Sequence, residues 1–398
     1  MSGTTTSCSQ CGAPFEIGDE FCEACGGSLT PHGTAAAQAA PLAVLPKVSP
    51  GTDTATSPPQ DGSRPSPGTG AEAGAAPTAE TARTGLASSV CACGGRIADD
   101  GYCEECGAKG RSERDHWTEQ PVTWVGGACD RGVRHHRNED AIAMVAQPEP
   151  GSFGALIVCD GVSTASNSDV ASLAAARASR DIMAASVRPT STTISARITH
   201  WTGVLEAAAA AGNAEVCSTE ATELGPERSA PACTFVAAIV DRDLITVGWV
   251  GDSRAYWFPD DGVPQALSID HSVASDDIAR GVARSVAESG NMAHAITRWF
   301  GDDTPTAVPQ CLTTIVASAG WLLVCSDGLW NYSSAAPDLA MVLVECVRAT
   351  ATNANNESCC AVPSAVADQL VAWANAQGGH DNISVVLARI PNPAFVAQ

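Results

Sequence analysis

Hydrophobic residues in this chain come in short unbroken runs separated by turn formers. Gly154 to Asp160 (GALIVCD), Thr234 to Val240 (TFVAAIV), Leu244 to Asp252 (LITVGWVGD), Gly320 to Asp327 (GWLLVCSD) and Asn382 to Ile390 (NISVVLARI) each read as a strand. Between them lie Ala-rich stretches with helical spacing. Val170 to Ala185, Trp201 to Val216 and Pro363 to Gly379 read as helices, the last stopped by Gly378 and Gly379. The pattern predicts one large domain of mixed α and β over residues 120–392.

Upstream the pattern disappears. Thr30 to Ser89 is nearly all Ala, Pro, Thr, Gly and Ser, contains no aromatic residue, and cannot bury enough apolar area to offset its ordering entropy. Residues 30–89 are therefore expected to be a disordered linker between small modules at 1–29 and 90–110. A chain of 398 residues has room for a sizeable core plus such appendages. The net charge of −22 repels nucleic-acid backbones and anionic membranes, and suits cations and basic protein surfaces. No stretch approaches the roughly 18 apolar residues of a membrane span, and Met1 opens a polar segment, so the expected compartment is the cytoplasm.

In that compartment thiols stay reduced, and the 17 cysteines are better read as metal ligands and core residues than as disulfides. Cys8, Cys11, Cys22 and Cys25 form two CxxCG knuckles, the spacing of a zinc ribbon. Thiolates that complete a tetrahedron leave no open position, so such a zinc is structural and supplies most of the folding energy of so small a unit. Cys91, Cys93, Cys103 and Cys106 repeat the logic with a CxC first pair, and zinc is expected there too. Both segments resemble the zinc-ribbon modules appended to bacterial regulatory proteins. Their acidity (Glu16, Asp19, Glu20, Glu23; Asp99, Asp100, Glu104, Glu105) favours a protein partner over nucleic acid. Cys159 and Cys325, inside apolar runs, read as core residues.

The acids of the large domain fall at strand ends. Asp160 follows LIVC, Asp252 follows VGWVG, Asp327 follows LLVCS, and Asp381 stands just before ISVV. One such acid merely caps a turn; several converging at one edge of packed sheets would repel and stay protonated unless cations joined them. Hard oxygen donors without a histidine partner suit magnesium or manganese, and Gly161, Gly251 and Gly328 beside the acids let backbone or water approach an ion. A water shared by two divalent ions loses a proton near neutral pH and becomes a nucleophile without help from a cysteine.

The ordered set RHHRNEDA (Arg134 to Ala141), VCDGV (Val158 to Val162), WVGDSRAYWF (Trp249 to Phe258), LSIDHS (Leu267 to Ser272), ITRWFG (Ile296 to Gly301), LLVCSDGLW (Leu322 to Trp330) and GGHDNISVV (Gly378 to Val386) resembles the metal-dependent serine/threonine phosphatases of type 2C. The resemblance runs from Val122 to about Ile390. It implies an α+β fold, a four-layer β-sandwich of two antiparallel sheets flanked by helices, with two to three Mn2+ or Mg2+ at one end. By resemblance Asp160 bridges two ions, the Gly161 carbonyl ligates one, and Asp327 and Asp381 ligate the other. Glu139 and Asp140 hold metal-bound waters, and Asp252 with Asp327 holds a third ion. Asn382 orients the Asp381 loop, and Arg254 is a structural ion-pair partner. The segment from Ser272 to Ala295 corresponds to the family's flap.

The chain also departs from that pattern. Where the family carries a phosphate-gripping arginine, this chain has His135; Arg134, by a one-residue shift, takes the role, with Arg137 as the alternative. Ser163 and Thr164 stand where the family prefers a glycine pair, and Ser168 or Asp169 is expected to cap the following helix. His271 reads equally as a structural or a catalytic group. The leading reading is a protein phosphatase acting on phosphoserine and phosphothreonine, tethered by its ribbons to a kinase or its substrates. The alternative is a phosphatase-like binding module with little turnover; ribbons that read nucleic acid are a third reading, disfavoured by charge.

Overall fold

The computed structural model describes residues 6–7, 14–15, 83–84, 91, 93–99, 101–107, 110, 112–190, 193–220, 230–287, 290, 292–293, 295–304, 306–353 and 361–392. The chain divides into two units, Met1–Ala79 and Glu80–Gln398. In the first, β1 (Thr6–Ser7) pairs antiparallel with β2 (Pro14–Phe15). The cysteines of the first ribbon, Cys8, Cys11, Cys22 and Cys25, lie outside the described residues, as does most of the linker read at 30–89. Its end differs from that reading: Arg83–Thr84 forms a strand, β3, on the edge of the larger sheet.

The second unit is built on two antiparallel sheets. Its remaining strands are β4 (His116–Val122), β5 (Val125–Asp130), β6 (Ala141–Ala146), β7 (Gly154–Cys159), β8 (Phe235–Asp241), β9 (Leu244–Val250), β10 (Arg254–Pro259), β11 (Gln265–Ala266), β12 (Gln310–Ile315), β13 (Gly320–Cys325) and β14 (Ile383–Ile390). The seven-stranded sheet runs β11-β10-β13-β14-β5-β4-β3, and the five-stranded sheet runs β12-β9-β8-β7-β6. The helices are α1 (Ser168–Ala185), α2 (Ile194–Ser218), α3 (Val273–Ala279), α4 (Arg284–Ala287), α5 (Asp327–Trp330), α6 (Ala336–Asn353) and α7 (Pro363–Ala376).

The unbroken apolar runs have a physical cause: the central strands are buried on both faces. Along β8, Val236, Ala238 and Val240 enter the core between the sheets, while Phe235, Ala237 and Ile239 pack under α1 and α2. Along β13, Leu322 and Val324 face the other sheet, while Leu323 and Cys325 pack with Leu370 and Ala374 of α7. Three apolar cores thus separate four layers, helix, sheet, sheet, helix, the expected sandwich. Leu156 and Val158 of β7 point between the sheets, and the two-residue period carried one step further puts Asp160 on that same side, where the strand stops. β5, β6, β10, β12 and α6 were not singled out from the sequence. β5 and β6 are Gly- and Ala-rich, and β12 is an edge strand with mixed exposure.

Candidate active site

The turns that leave β7, β9 and β13, and the turns that enter β6 and β14, bring Asp160, Asp252, Asp327, Asp140 and Asp381 within electrostatic reach of one another. Burial, then the charges of Asp140, Asp327, Asp381 and Asp252, hold the Asp160 carboxyl well above the usual carboxylate range. Burial and the charges of Asp381, Asp252 and Asp140 do the same to Asp327. Asp140, fully buried, is pushed up to about 7 by desolvation, with Ser326 opposing and Asp381 adding to the shift. Desolvation followed by Asp270 pushes Asp252 up to about 7, against the nearby positive charge of Arg254.

Local hydrogen bonds aim these acids. The Asp160 amide donates to Thr234 Oγ1 at 3.1 Å, and the Thr234 amide returns a bond to the Asp160 carbonyl at 2.7 Å. Ser326 Oγ donates to Asp140 Oδ2 at 2.7 Å while accepting from the Ser384 amide at 2.9 Å. Asn331 Nδ2 donates to Asp327 Oδ2 at 3.2 Å, one turn along from the start of α5. Trp330 Nε1 donates to the Asp252 carbonyl at 3.0 Å. The guanidinium of Arg254 lies 3.6 Å from the Trp330 ring centroid and forks onto Asp270, Nε to Oδ1 at 2.8 Å and Nη2 to Oδ2 at 2.6 Å. Asn382 joins two loops: its Oδ1 accepts from the Glu139 amide at 2.7 Å and its Nδ2 donates to the Arg131 carbonyl at 2.7 Å.

The glycines next to the acids work differently from the sequence reading. A Cβ on Gly161 would sit 2.6 Å from the Glu139 carbonyl oxygen, and one on Gly328 would sit 2.0 Å from that of Asn382. They are needed because separate segments of the site pass main chain to main chain at these points. Ser168 also departs from expectation. Asn167, in the left-handed region at φ 49°, precedes α1 without a side-chain cap, and Ser168 Oγ instead donates inward to Glu139 Oε1. Arg137 holds the same oxygen from the other side through Nε, at 2.9 Å, and through Nη2. His135 Nε2 lies 3.3 Å from Asp381 Oδ1, and Arg134 is exposed, its amide donating to the Gly379 carbonyl at 3.2 Å. His271 Nδ1 accepts from the Gly251 amide at 3.1 Å, and burial lowers its imidazole to about 4, which makes it a neutral structural support. Ser163 and Thr164 form an exposed turn leading to α1.

Sequence reasoning missed Thr234, Ser326 and Ser172, whose Oγ donates to the Glu139 carbonyl, and gave Ser168 a capping role in place of its bond to Glu139. Small hydroxyl residues carry no pattern, and only their placement beside an acid distinguishes them.

The donor set fits hard divalent cations. Asp140 Oδ1 and Asp327 Oδ1 are buried without a hydrogen-bond partner among the described residues, and Arg137 and Arg254 are committed to Glu139 and Asp270. Oxygen donors with excess negative charge are the chemistry of Mg2+ or Mn2+.

The second cysteine cluster lies apart along the chain. Cys91 Sγ is 3.6 Å from Cys106 Sγ, Cys93 Sγ is 3.5 Å from Cys103 Sγ, and all four sulfurs lie within 4.8 Å of one another. A zinc tetrathiolate with Zn–S near 2.3 Å needs S···S separations of about 3.8 Å. The Cys106 backbone amide, foremost, lowers the Cys103 thiol to about 7.

The model of the protein phosphatase 2C family matches residues 131–373, more than half of the 398-residue chain. The serine/threonine phosphatase stp of Listeria innocua is 28% identical over 259 residues, which cover 65% of this chain and 92% of that protein. Among solved structures, a bacterial serine phosphatase superposes with a TM-score of 0.52 at 21% identity, covering 67% of this chain and 98% of that one. The S. agalactiae serine/threonine phosphatase gives 0.51 at 22% identity, covering 67% and 98%. These superpositions establish the fold. Together with the matched family model and the converging acids, they lead to one conclusion: the chain belongs to the protein phosphatase 2C family.

Proposed function

We propose that the protein hydrolyses phosphoserine and phosphothreonine esters of proteins at this carboxylate cluster, with divalent cations held by Asp160, the Gly161 carbonyl, Asp327 and Asp381, and a third by Asp252 with Asp327. The observation that carries the reading is the set of strand-end acids, Asp140 and Asp252 buried and Asp160, Asp327 and Asp381 half-buried, with orphaned oxygens on Asp140 and Asp327. When bound, Mn2+ or Mg2+ supplies Lewis acidity that makes water nucleophilic at neutral pH and neutralises phosphoryl oxygens.

The side chains contribute orientation and charge. Glu139, held by Arg137 and Ser168, and Asp140, held by Ser326, accept hydrogen bonds from water and keep its lone pair turned toward phosphorus. Asn382 keeps the Asp381 loop in register with Glu139. Of the two arginines flanking His135, Arg137 is engaged by Glu139; we assign the substrate phosphate to the exposed Arg134, whose charge also acts on the hydroxyl of Tyr332. The Arg254–Asp270 fork braces the Asp252 turn through Trp330 and is not assigned to substrate.

The departures at His135 and Ser163–Thr164 leave the acids intact, which favours turnover over the reading as an inactive binding module. We assign residues 90–110 to a zinc ribbon, and residues 1–29 to another, that present acidic surfaces to a protein partner such as a kinase or its substrates. Among the described residues no helix is long and apolar enough to cross a membrane. We assign the protein to the cytoplasm, where thiols stay reduced and available as zinc ligands.

Hydrolysis of a phosphothreonine peptide by the full chain tests the reading. Activity should require added Mn2+, vanish with chelator, and fall at least about 100-fold in Asp327→Ala. Activity indifferent to all three treatments would sink it.

A further inference from the structure

Glu139 and Asp140 enter the site on a tight turn whose main-chain groups can be accounted for one by one. The Glu139 amide donates to Asn382 Oδ1, the Glu139 carbonyl accepts from Ser172 Oγ at 2.5 Å, and the Asp140 amide donates to Asn138 Oδ1 at 3.1 Å. The carbonyls on either side of Glu139 remain. Both accept from a single nitrogen, Arg114 Nη2, at 3.3 Å for Asn138 and 2.8 Å for Asp140. Arg114 Nη1 reaches the Asp169 carbonyl in the first turn of α1 at 3.1 Å, and its guanidinium lies 5.7 Å from the Trp117 ring centroid. The tie is reciprocal, because Asn138 Nδ2 donates to the Arg114 carbonyl at 3.0 Å.

Arg114 stands in the short connection between the last cysteine of the second cluster, Cys106, and β4. A planar guanidinium can reach all of these carbonyls at once, which a lysine ammonium cannot. Its acceptors are carbonyls, so its contribution is orientation. A turn released from Arg114 would also press on Gly161, since the Glu139 carbonyl already fills the space a Cβ there would need.

We infer that Arg114 is a positioning residue of the phosphatase reaction: from the segment leaving the cysteine cluster, it fixes the turn that presents Glu139 and Asp140 to the cation and water. The inference rests on the phosphatase reading given above, and makes the connection to the ribbon a structural part of the active site.

The test compares the full chain with Arg114→Ala, Arg114→Lys, Asp140→Asn and the Arg114→Ala/Asp140→Asn double variant. Mn2+ binding is followed by calorimetry, and phosphothreonine-peptide hydrolysis by steady-state kinetics. Arg114→Ala should weaken Mn2+ binding about tenfold and lower kcat about tenfold, with KM within about twofold. Arg114→Lys, which keeps the stem over Trp117, should fall between it and the native chain. In the double variant Arg114→Ala should add little to Asp140→Asn, because a residue acting through Asp140 loses its effect once that carboxylate is gone. Native Mn2+ affinity and kcat in either Arg114 variant, or losses that multiply fully with those of Asp140→Asn, would overturn the inference. If Arg114→Ala does not fold, the lysine variant alone decides. A native chain that neither binds Mn2+ nor hydrolyses the peptide is a separate result, which removes the phosphatase reading and the inference together.

Discussion

Gly161 shows how a single missing side chain admits a whole segment. The Glu139 carbonyl, Glu139 Cβ and Ser168 Cβ would stand 2.6, 3.0 and 3.0 Å from a Cβ at this position, and all of these groups belong to the turn and helix that shape the site. Gly161→Ala is therefore expected to cost about 1–3 kcal/mol and to reduce kcat more than KM, because the Glu139 turn must shift. Urea unfolding and peptide kinetics check this, and an unchanged midpoint would mean that the contact is relieved at no cost. At this scale the acid–glycine pairs were legible in the sequence, since an acid closing an aliphatic run is costly without a partner. The partners were not. Ser168 looks like a helix cap from its position, yet it turns inward to Glu139, and Arg137 looks like a phosphate ligand until Glu139 takes it. Direction around a helix or turn is set by what packs against it.

Among the elements, the strands with the longest apolar runs and the Ala-rich helices were legible because burial on both faces removes polar interruptions. β5, β6 and β12 were harder to read, their faces being mixed or filled by glycine and alanine. One polar tie between elements makes a prediction of its own. His116 of β4 places Nδ1 2.8 Å from Asp130 of β5 and Nε2 3.2 Å from Asp368 of α7. Hydrogen bonds donated by the ring to Asp130 and then to Asp368 raise its imidazole from 6.5 to about 9. A histidine raised on folding contributes stability that is complete below its unfolded value near 6.5 and is lost as pH rises through the folded value. The melting temperature should accordingly decline as pH rises from 6.5 through about 9, and His116→Gln should flatten that part of the curve. An identical slope in the variant, measured by thermal scans at fixed ionic strength, would discard the assignment.

For the whole molecule, acidity and layering combine. A net charge of −22 is tolerable on the surface, but the acids gathered at the mouth of the sandwich demand cations, and the fold gathers them because β7, β9 and β13 end and β6 and β14 begin at the same edge. The cysteine cluster is a second place where the chain calls for a metal. Full-length protein carrying Cys91→Ser and Cys93→Ser should contain one zinc equivalent fewer than native protein by elemental analysis, whereas equal zinc content would show that the sulfurs gather without it. The sequence by itself determined which residues are acid, thiol and glycine, in what order, and hence the family, the sandwich and the class of metal, because these follow from local pattern and residue chemistry. Only the tertiary structure decided that Arg137 serves Glu139, that Ser168 and Ser326 orient the acids, and that Arg114 reaches back from beside the second cysteine cluster to the Glu139–Asp140 turn. Such contacts join segments far apart along the chain, and which of them meet depends on how the four layers stack, a property of the packed whole that no local pattern records.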